Sequence, residues 1–252
     1  MKKNLIFVLL FACIAPLVCA QQQQTSQDSA AAIIKRYYSI LKYNYLKRDS
    51  ILYIESKIVH SSTPNDTLVM RRWFLPRFLS RIEFWYNGQQ EVSYHSDGRD
   101  IFRKFDTVAR AWMNISREQY FDEALAYHYQ GALHDWETKG CELEYVGEGT
   151  YEGHPIEIIK TFCPNNYDRQ YYFEKETGLL FQLDEYPLIM GEKVSRSDSR
   201  VEWRAIHEYQ PLGMFLFPSI ESYLHQGELT IQYHHYQFIP LSKTVFIADW
   251  PK

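Results

Sequence analysis

The sequence predicts a mainly β fold of the α+β class: one curved antiparallel sheet of about 11–12 strands, forming either a closed or an incomplete barrel. Three observations carry that expectation. From Ile51 onward the hydrophobic period is two, the period of a half-buried strand. Turn chemistry such as Thr63-Pro64-Asn65-Asp66, Asn87-Gly88, Asp97-Gly98 and Lys175-Glu176-Thr177-Gly178 breaks these runs into hairpins. Only two segments have a helical period, and two helices cannot fill the concave side of so large a sheet. That leaves either a closed barrel or a partly open one with a cavity under a helical lid.

The chain has 252 residues. Met1-Lys2-Lys3, the apolar run Leu5 to Ile14 and the small-residue site Val18-Cys19-Ala20 before Gln21 read as an export signal over 1–20. A competing reading makes Cys19 a lipidated N-terminus, but bulky Val18 directly before it argues against acylation. Residues 21–28 form a Gln-rich linker, and 29–252 read as a single domain, because no Pro/Gly/Ser-rich stretch divides them. Removing Lys2 and Lys3 with the signal takes the net charge from −4 to −6. That balance excludes a nucleic-acid binder, which needs a basic face for phosphates. Aromatic residues make up 16%, with 20 Tyr, 15 Phe and 6 Trp, a composition foreign to disordered and fibrous chains. After residue 20 no run of about eighteen apolar residues is available for a transmembrane helix.

In chain order, Asp28 or Ser29 is placed to cap a helix from Ala30 to Lys47, whose Ala30, Ile33, Ile34, Tyr37, Leu41 and Tyr45 form one apolar stripe. Strands follow over 51–58, 68–75, 82–86, 91–95 and 101–105. A possible capping box, Ser116 to Gln119, opens a helical insert with Phe121, Leu125 and Tyr129 on one face, running to about Trp136. Strands resume over 142–151, 156–163, 170–174, 179–186, 200–209, 213–218 and 228–238. Alternation puts Ile82, Phe84, Phe173, Phe181, Leu183, Val201, Trp203, Leu229 and Ile231 on an apolar face. Their polar neighbours Arg81, Glu83, Gln182, Asp184, Glu202, Arg204, Glu228 and Thr230 line a wet one.

Catalytic signatures are absent: there is no G-x-S-x-G elbow, no H-E-x-x-H, and His234 and His235 point to opposite sheet faces. No catalytic residue, metal ligand or cofactor is expected. Glu142 and Glu144 share a strand face but read as solvated charge, and Gly147 and Gly149 read as bulge or turn glycines, since no helix follows them. Cys141 and Cys163 flank a hairpin turning near Glu152-Gly153-His154 and fall nearly opposite each other. They are read either as a disulfide worth roughly 3 kcal/mol or as two buried thiols. Arg71, Arg72, Arg77 and Arg81 cluster along one hairpin, where they could meet an anionic head group or simply be solvated. Trp73, Trp85 and Tyr172 are read as exposed aromatics.

The order of elements resembles the LolA-type superfamily of lipoprotein and lipid carriers. The resemblance rests on the leading helix, the Pro76 hairpin leading into Tyr94-His95-Ser96-Asp97-Gly98-Arg99, the helical insert, and the turn Glu152-Gly153-His154-Pro155. It continues through Tyr171-Tyr172-Phe173-Glu174-Lys175-Glu176-Thr177-Gly178-Leu179, Gly213-Met214-Phe215-Leu216-Phe217-Pro218 and a terminal Phe246 segment, so it covers nearly all of the mature chain. It implies an incomplete, strongly curved antiparallel barrel, a half-barrel whose apolar concave face, covered by an N-terminal helix and the central helical insert, accepts acyl chains. Here that face would comprise Ile34, Tyr37, Leu41, Ile54, Ile58, Ile82, Phe84, Phe173, Phe181, Leu183, Trp203 and Ile231. Such carriers commonly place an arginine just before the hairpin Pro as a lid latch. Leu75 stands there in this chain, leaving Arg72 or Arg77 as latch or head-group ligand. The implied function is a non-enzymatic, monomeric periplasmic carrier of a lipid or a lipoprotein's acyl chains, working between an inner-membrane donor and an outer-membrane acceptor. The alternative is an envelope interaction or sensor protein of the same fold with a packed core.

Overall fold

In a computed structural model of the chain, the residues described are 24–43, 50–66, 68–74, 79–97, 102–116, 133–134, 136–137, 140–162, 167–187, 202–225 and 227–240. A helix, α1 (residues 24–41), precedes the strands. These are β1 (Ser50–His60), β2 (Leu68–Phe74), β3 (Leu79–Tyr86), β4 (Gln89–Asp97), β5 (Phe102–Asp106), β6 (Ala111–Asn114), β7 (Glu142–Tyr151), β8 (His154–Phe162), β9 (Tyr167–Glu174), β10 (Leu180–Pro187), β11 (Glu202–Leu212), β12 (Phe215–His225) and β13 (Glu228–Pro240). All join one antiparallel sheet in the order β6-β5-β4-β3-β2-β1-β13-β12-β11-β10-β9-β8-β7. Two meanders, β1–β6 and β7–β13, are thus joined along the β1–β13 ladder, from Ser50↔Pro240 to His60↔Thr230. β6 and β7 are not paired with each other, so the sheet is an incomplete barrel, as expected.

The hairpin chemistry is where the residues placed it. Asn87 (φ 47°) and Gly88 (φ 83°) link β3 to β4, and Glu152 (φ 49°) and Gly153 (φ 88°) link β7 to β8. Positive φ at both central residues gives the turn whose twist matches the flanking strands. Gly147 sits at a register shift between Tyr145 and Gly147, a bulge glycine as read from the sequence. The short β6 was not anticipated, because Ala111–Asn114 shows no alternation. It is reached through a turn in which the Asp106 carboxylate accepts the backbone N–H groups of Val108 and Ala109, at 2.8 and 2.9 Å.

α1 departs from its expected bounds at both ends. It is already helical at residue 24, so the residues assigned to the end of a linker are helix, and Ser29 is no cap: its hydroxyl donates to the Thr25 carbonyl at 2.9 Å. It stops at 41 rather than 47 because Lys42 turns left-handed (φ 60°) and returns its N–H to the Tyr38 carbonyl at 3.0 Å. Tyr45 and the central insert 117–132, with its expected capping box, lie outside the described residues.

Strand alternation and register define an inner face. Leu52, Ile54, Ser56 and Ile58 of β1 lie beside Phe74, Arg72, Met70 and Leu68 of β2 and beside Phe238, Tyr236, His234 and Gln232 of β13. Two apolar clusters form on this face. In the first, Ala30, Ile33, Ile34, Tyr37 and Leu41 of α1 pack on Leu52, Ile54, Ile159, Tyr171, Phe173, Leu183, Phe217 and Tyr236. Its rings interlock: Tyr37 meets Phe173 edge-on at 5.4 Å, and Phe217 lies between Tyr43 at 5.0 Å and Tyr236 at 4.6 Å. α1 approaches the β9–β10 turn closely enough that a Cβ on Gly178 would stand 2.8 Å from Ile40 Cδ1; that side-chain end can move aside, and it is the left-handed backbone (φ 70°) that calls for glycine there. The second cluster, on β1–β5, joins Ile58, Met70, Ile82, Tyr94 and Phe102.

The outer face is not uniformly wet, contrary to the sequence reading. Glu83, His95, Tyr172 and Asp184 are all buried on it. The two carboxylates are matched locally. Glu83 accepts from Trp85 Nε1 at 2.9 Å and pairs with Arg81, while Asp184 accepts from Tyr172 at 2.7 Å and from Gln182 at 2.6 Å. Trp73 and Trp85, read as exposed aromatics, carry the guanidiniums of Arg81 and Arg71 over their rings at 5.5 and 5.1 Å. Of the four clustered arginines, Arg71 and Arg81 therefore face outward and Arg72 inward; Arg77 lies outside the described residues.

Candidate functional site

Between the two apolar clusters the inner face carries a buried polar cluster. Ser56 on β1 lies opposite His234 on β13, and Gln232 on β13 lies opposite Glu221 on β12. Tyr223 on β12 lies opposite Arg204 on β11, and Arg72 on β2 sits diagonally across from Ser56. Arg72 Nη2 donates to Ser56 Oγ at 2.6 Å, and Ser56 Oγ lies 2.6 Å from His234 Nδ1. His234 Nε2 lies 2.9 Å from Glu221 Oε2, which also accepts from the Tyr223 hydroxyl at 2.8 Å; Arg204 Nη2 pairs with Glu221 Oε1. A carboxylate can only accept, so the imidazole proton is assigned to Nε2, and Nδ1 accepts the Ser56 hydroxyl.

Burial and pairing compete at each group. Burial works to raise the Glu221 pKa, but the charge of Arg204 and the hydrogen bonds from His234 and Arg204 overcome it and hold the carboxyl well below its usual range. Burial dominates at His234 and lowers its pKa despite Glu221, which keeps the ring neutral. Burial likewise lowers Arg72. It also opposes charge on Arg204, where the Glu221 carboxylate prevails and raises the pKa.

The line Ser56–His234–Glu221 has the connectivity of nucleophile, base and acid. Two features oppose that chemistry. Arg72 already donates to the Ser56 oxygen, and its guanidinium lies 3.3 Å from His234 Nδ1, where an incoming proton would have to go. Among the described residues no group of three His, Cys, Asp or Glu side chains is arranged to hold a metal ion.

The sequence-predicted residues divide by face. Ile34, Tyr37, Leu41, Ile54, Phe173 and Leu183 belong to the first apolar cluster, with α1 packed on it. Ile58 and Ile82 belong to the second, and Phe84 packs against it. Three expectations are corrected. Trp203 pairs with Asp184 while Arg204 pairs with Leu183, so the tryptophan faces outward and the arginine inward. Ile231 pairs with Val59, and Gln232 faces inward beside Ile58 instead. A register shift between Leu180 and Gln182 turns Phe181 outward, its ring 5.1 Å from Tyr151 and 6.2 Å from Tyr172. For Trp203 and Ile231 the alternation was right and the parity wrong, because apolar and charged side chains occur on both faces; Phe181 is displaced by the bulge while Leu183 of the same strand faces inward as expected.

Ser56, Arg204, Glu221, Tyr223 and His234 were not singled out as a site. The available signal was Ser56 interrupting an apolar alternation between Ile54 and Ile58; its partners lie far away in the chain and no local motif joins them.

No family model and no curated protein matches the chain. Solved structures do. A LolA superfamily protein from Nitrosomonas europaea superposes with a TM-score of 0.59 at 9% identity, covering 88% of this chain and 97% of that one. The fold is LolA-like. A DUF1329 family protein from Desulfovibrio piger gives 0.57 at 12% identity, covering 85% and 94%. A structure described as an outer membrane lipoprotein-sorting protein domain, from Vibrio parahaemolyticus, gives 0.55 at 10% identity, covering 86% and 93%. These likenesses cover 85–88% of this chain and 93–97% of the solved ones. At such identities they establish architecture, and function must be argued from the inner face.

Proposed function

We propose that the protein is an exported, non-enzymatic carrier that takes acyl chains of a lipid or lipoprotein on the concave face of its LolA-like half-barrel. The observation that carries this reading is the division of the inner face. α1 packs on one apolar cluster, whereas the second, around Ile58, Met70, Ile82, Tyr94 and Phe102, includes no residue of α1 among the described residues. That half can exchange its contents without dismantling the helix. A sixteen-carbon chain buried there would contribute around 10 kcal/mol before ordering costs, at about 0.8 kcal/mol per methylene. The structures described as LolA superfamily and lipoprotein-sorting support the same class of cargo. Residues 1–20 act as a cleaved signal in this reading and the working compartment is the periplasm.

Neighbouring side chains of β3 supply the test. Ile82 and Phe84 face the second cluster, while Glu83 and Trp85 face outward. Phe84→Glu should abolish binding of a fluorescent fatty acid, because a carboxylate in a desolvated apolar site costs several kcal/mol. Trp85→Glu should leave binding within about threefold, since Arg71 lies over that position and can pair with the new carboxylate. Circular dichroism checks folding. Two folded variants that both bind like the parent would remove the proposed site, and a parent that binds no lipid would favour the packed-core interaction protein. The interlocked rings of the first cluster are the observation on that side.

The same exported setting favours a Cys141–Cys163 disulfide. Glu142↔Phe162 is the last pair of the β7–β8 ladder, and the two cysteines are the next residues outward; Cys141 is buried, and Cys163 lies outside the described residues. Non-reducing peptide mapping should recover the two as one cross-linked peptide, and full alkylation of both thiols without reductant would reject the bond.

A further inference from the structure

We infer that the buried polar cluster of the inner face recognises an oxyanion head, a carboxylate or a phosphate monoester, so that the cargo is an anionic amphiphile rather than a neutral lipid. The inference rests on the carrier reading and says which cargo that carrier takes. Its first support is position: Arg72 stands on the inner face between Ile54 of the first apolar cluster and Ile82 of the second, where a chain lying along the second cluster would bring its polar end, and Arg204 lies further along the same face on β11. The second is chemistry: Glu221 collects Arg204, Tyr223 and His234, and Arg72 Nη2 donates to Ser56 Oγ and lies 3.3 Å from His234 Nδ1, so two guanidiniums and two neutral hydrogen-bonding side chains converge on one buried spot. A third support comes from two buried donors. Arg204 Nε and the hydroxyl of Ser219, which lies between Phe217 and Glu221 on β12, have no hydrogen-bond partner. Buried donors left unmatched are costly, and an oxyanion brings several acceptor lone pairs to one place.

The direction of the Arg72 shift agrees. Burial disfavours its charged form, so an arriving anion would relieve a penalty that the folded protein already bears. Rigidity alone does not account for the arrangement, since a packed apolar layer serves a core at least as well as buried ion pairs do. Two guanidiniums in an apolar half-barrel do what leucines cannot, which is to discriminate a charged head from a neutral one.

Competitive displacement of a fluorescent fatty acid from the full-length mature protein tests this with four ligands of equal chain length: hexadecanoate, its methyl ester, hexadecyl phosphate and hexadecanol. The acid should bind at least tenfold more tightly than its ester, or the phosphate than the alcohol; whichever pair shows the larger ratio identifies the head. In Arg72→Met that ratio should collapse to within twofold through weaker binding of the anion, with the neutral ligand unchanged. Arg72→Lys should keep most of it. Equal affinity of charged and neutral ligands for the parent would overturn the inference and leave the carrier intact, a result that does not depend on any variant folding. Binding of none of the four would remove the carrier reading itself. A ratio that persists in folded Arg72→Met would overturn the assignment to this cluster.

Discussion

Replacing Arg204 by methionine is expected to lower the stability of the folded protein by about 3–5 kcal/mol, because it strips the principal counter-charge from a carboxylate that cannot reach water. Glu221 is 1% exposed, and Arg204 supplies both the charge and a hydrogen bond that hold it ionised against burial. His234 and Tyr223 remain as donors in the variant, but neither carries a full positive charge. The companion variant Arg204→Met with Glu221→Leu should recover much of the loss, since removing both charges together leaves only the partly used donors of His234 and Tyr223 to be accommodated. Urea unfolding of the two variants and the parent measures this directly. A single variant within 1 kcal/mol of the parent, a threshold set by the range for exposed pairs, would mean that Glu221 is solvated or protonated in the folded state and that the inner-face cluster is not as described.

The second large effect is expected at high pH. Burial pushes Tyr37 and Tyr171 up to about 12, and it raises Tyr43, Tyr209, Tyr223 and Tyr236 above the ordinary tyrosine value as well. In the unfolded chain these phenols ionise near pH 10, whereas in the folded protein they remain protonated to higher pH. A raised folded-state pKa stabilises fully below the unfolded value, and that contribution is lost as pH rises through the folded one. Each phenol held two units high costs the fold about 2–3 kcal/mol once pH has passed it. Several such groups on one sheet exceed the 5–15 kcal/mol that hold a typical domain together. The protein should therefore unfold cooperatively between pH 10 and 12, with the tyrosinate absorbance near 295 nm and the loss of sheet signal in circular dichroism moving together. Phenols that titrate near pH 10 while the sheet signal stays intact would show that the inner-face tyrosines are open to solvent.

Most of the architecture was legible because it rests on local rules. Period-two alternation located twelve of the thirteen strands, and the Asn87-Gly88 and Glu152-Gly153 turns announced their hairpins through residues that tolerate positive φ. β6 escaped because Ala-Trp-Met-Asn has neither alternation nor length. The end of α1 escaped for a related reason: Tyr45 continues the apolar stripe, yet Lys42 adopts a left-handed conformation that nothing in its side chain announces. Alternation also cannot say which parity is inner when both faces carry apolar groups. Phe84 faces inward and Trp203 does not, although both alternate with charged residues, because β11 turns its charged Arg204 to the inner face.

By itself the sequence determined the class of the fold, the order of its elements, the predominance of antiparallel hairpins and the absence of any local catalytic signature, since all of these follow from composition, period and turn residues acting over a few positions. The tertiary structure alone decided the inner-face cluster. Ser56 and His234 are 178 residues apart, and Arg72 and His234 are 162 apart. What joins them is the β1–β13 ladder, formed when the two meanders pair along their first and last strands. Pairing register is set by which faces can be buried together, a property of the whole sheet, so the meeting of two guanidiniums, a carboxylate and an imidazole on an apolar surface is written in no segment of the chain.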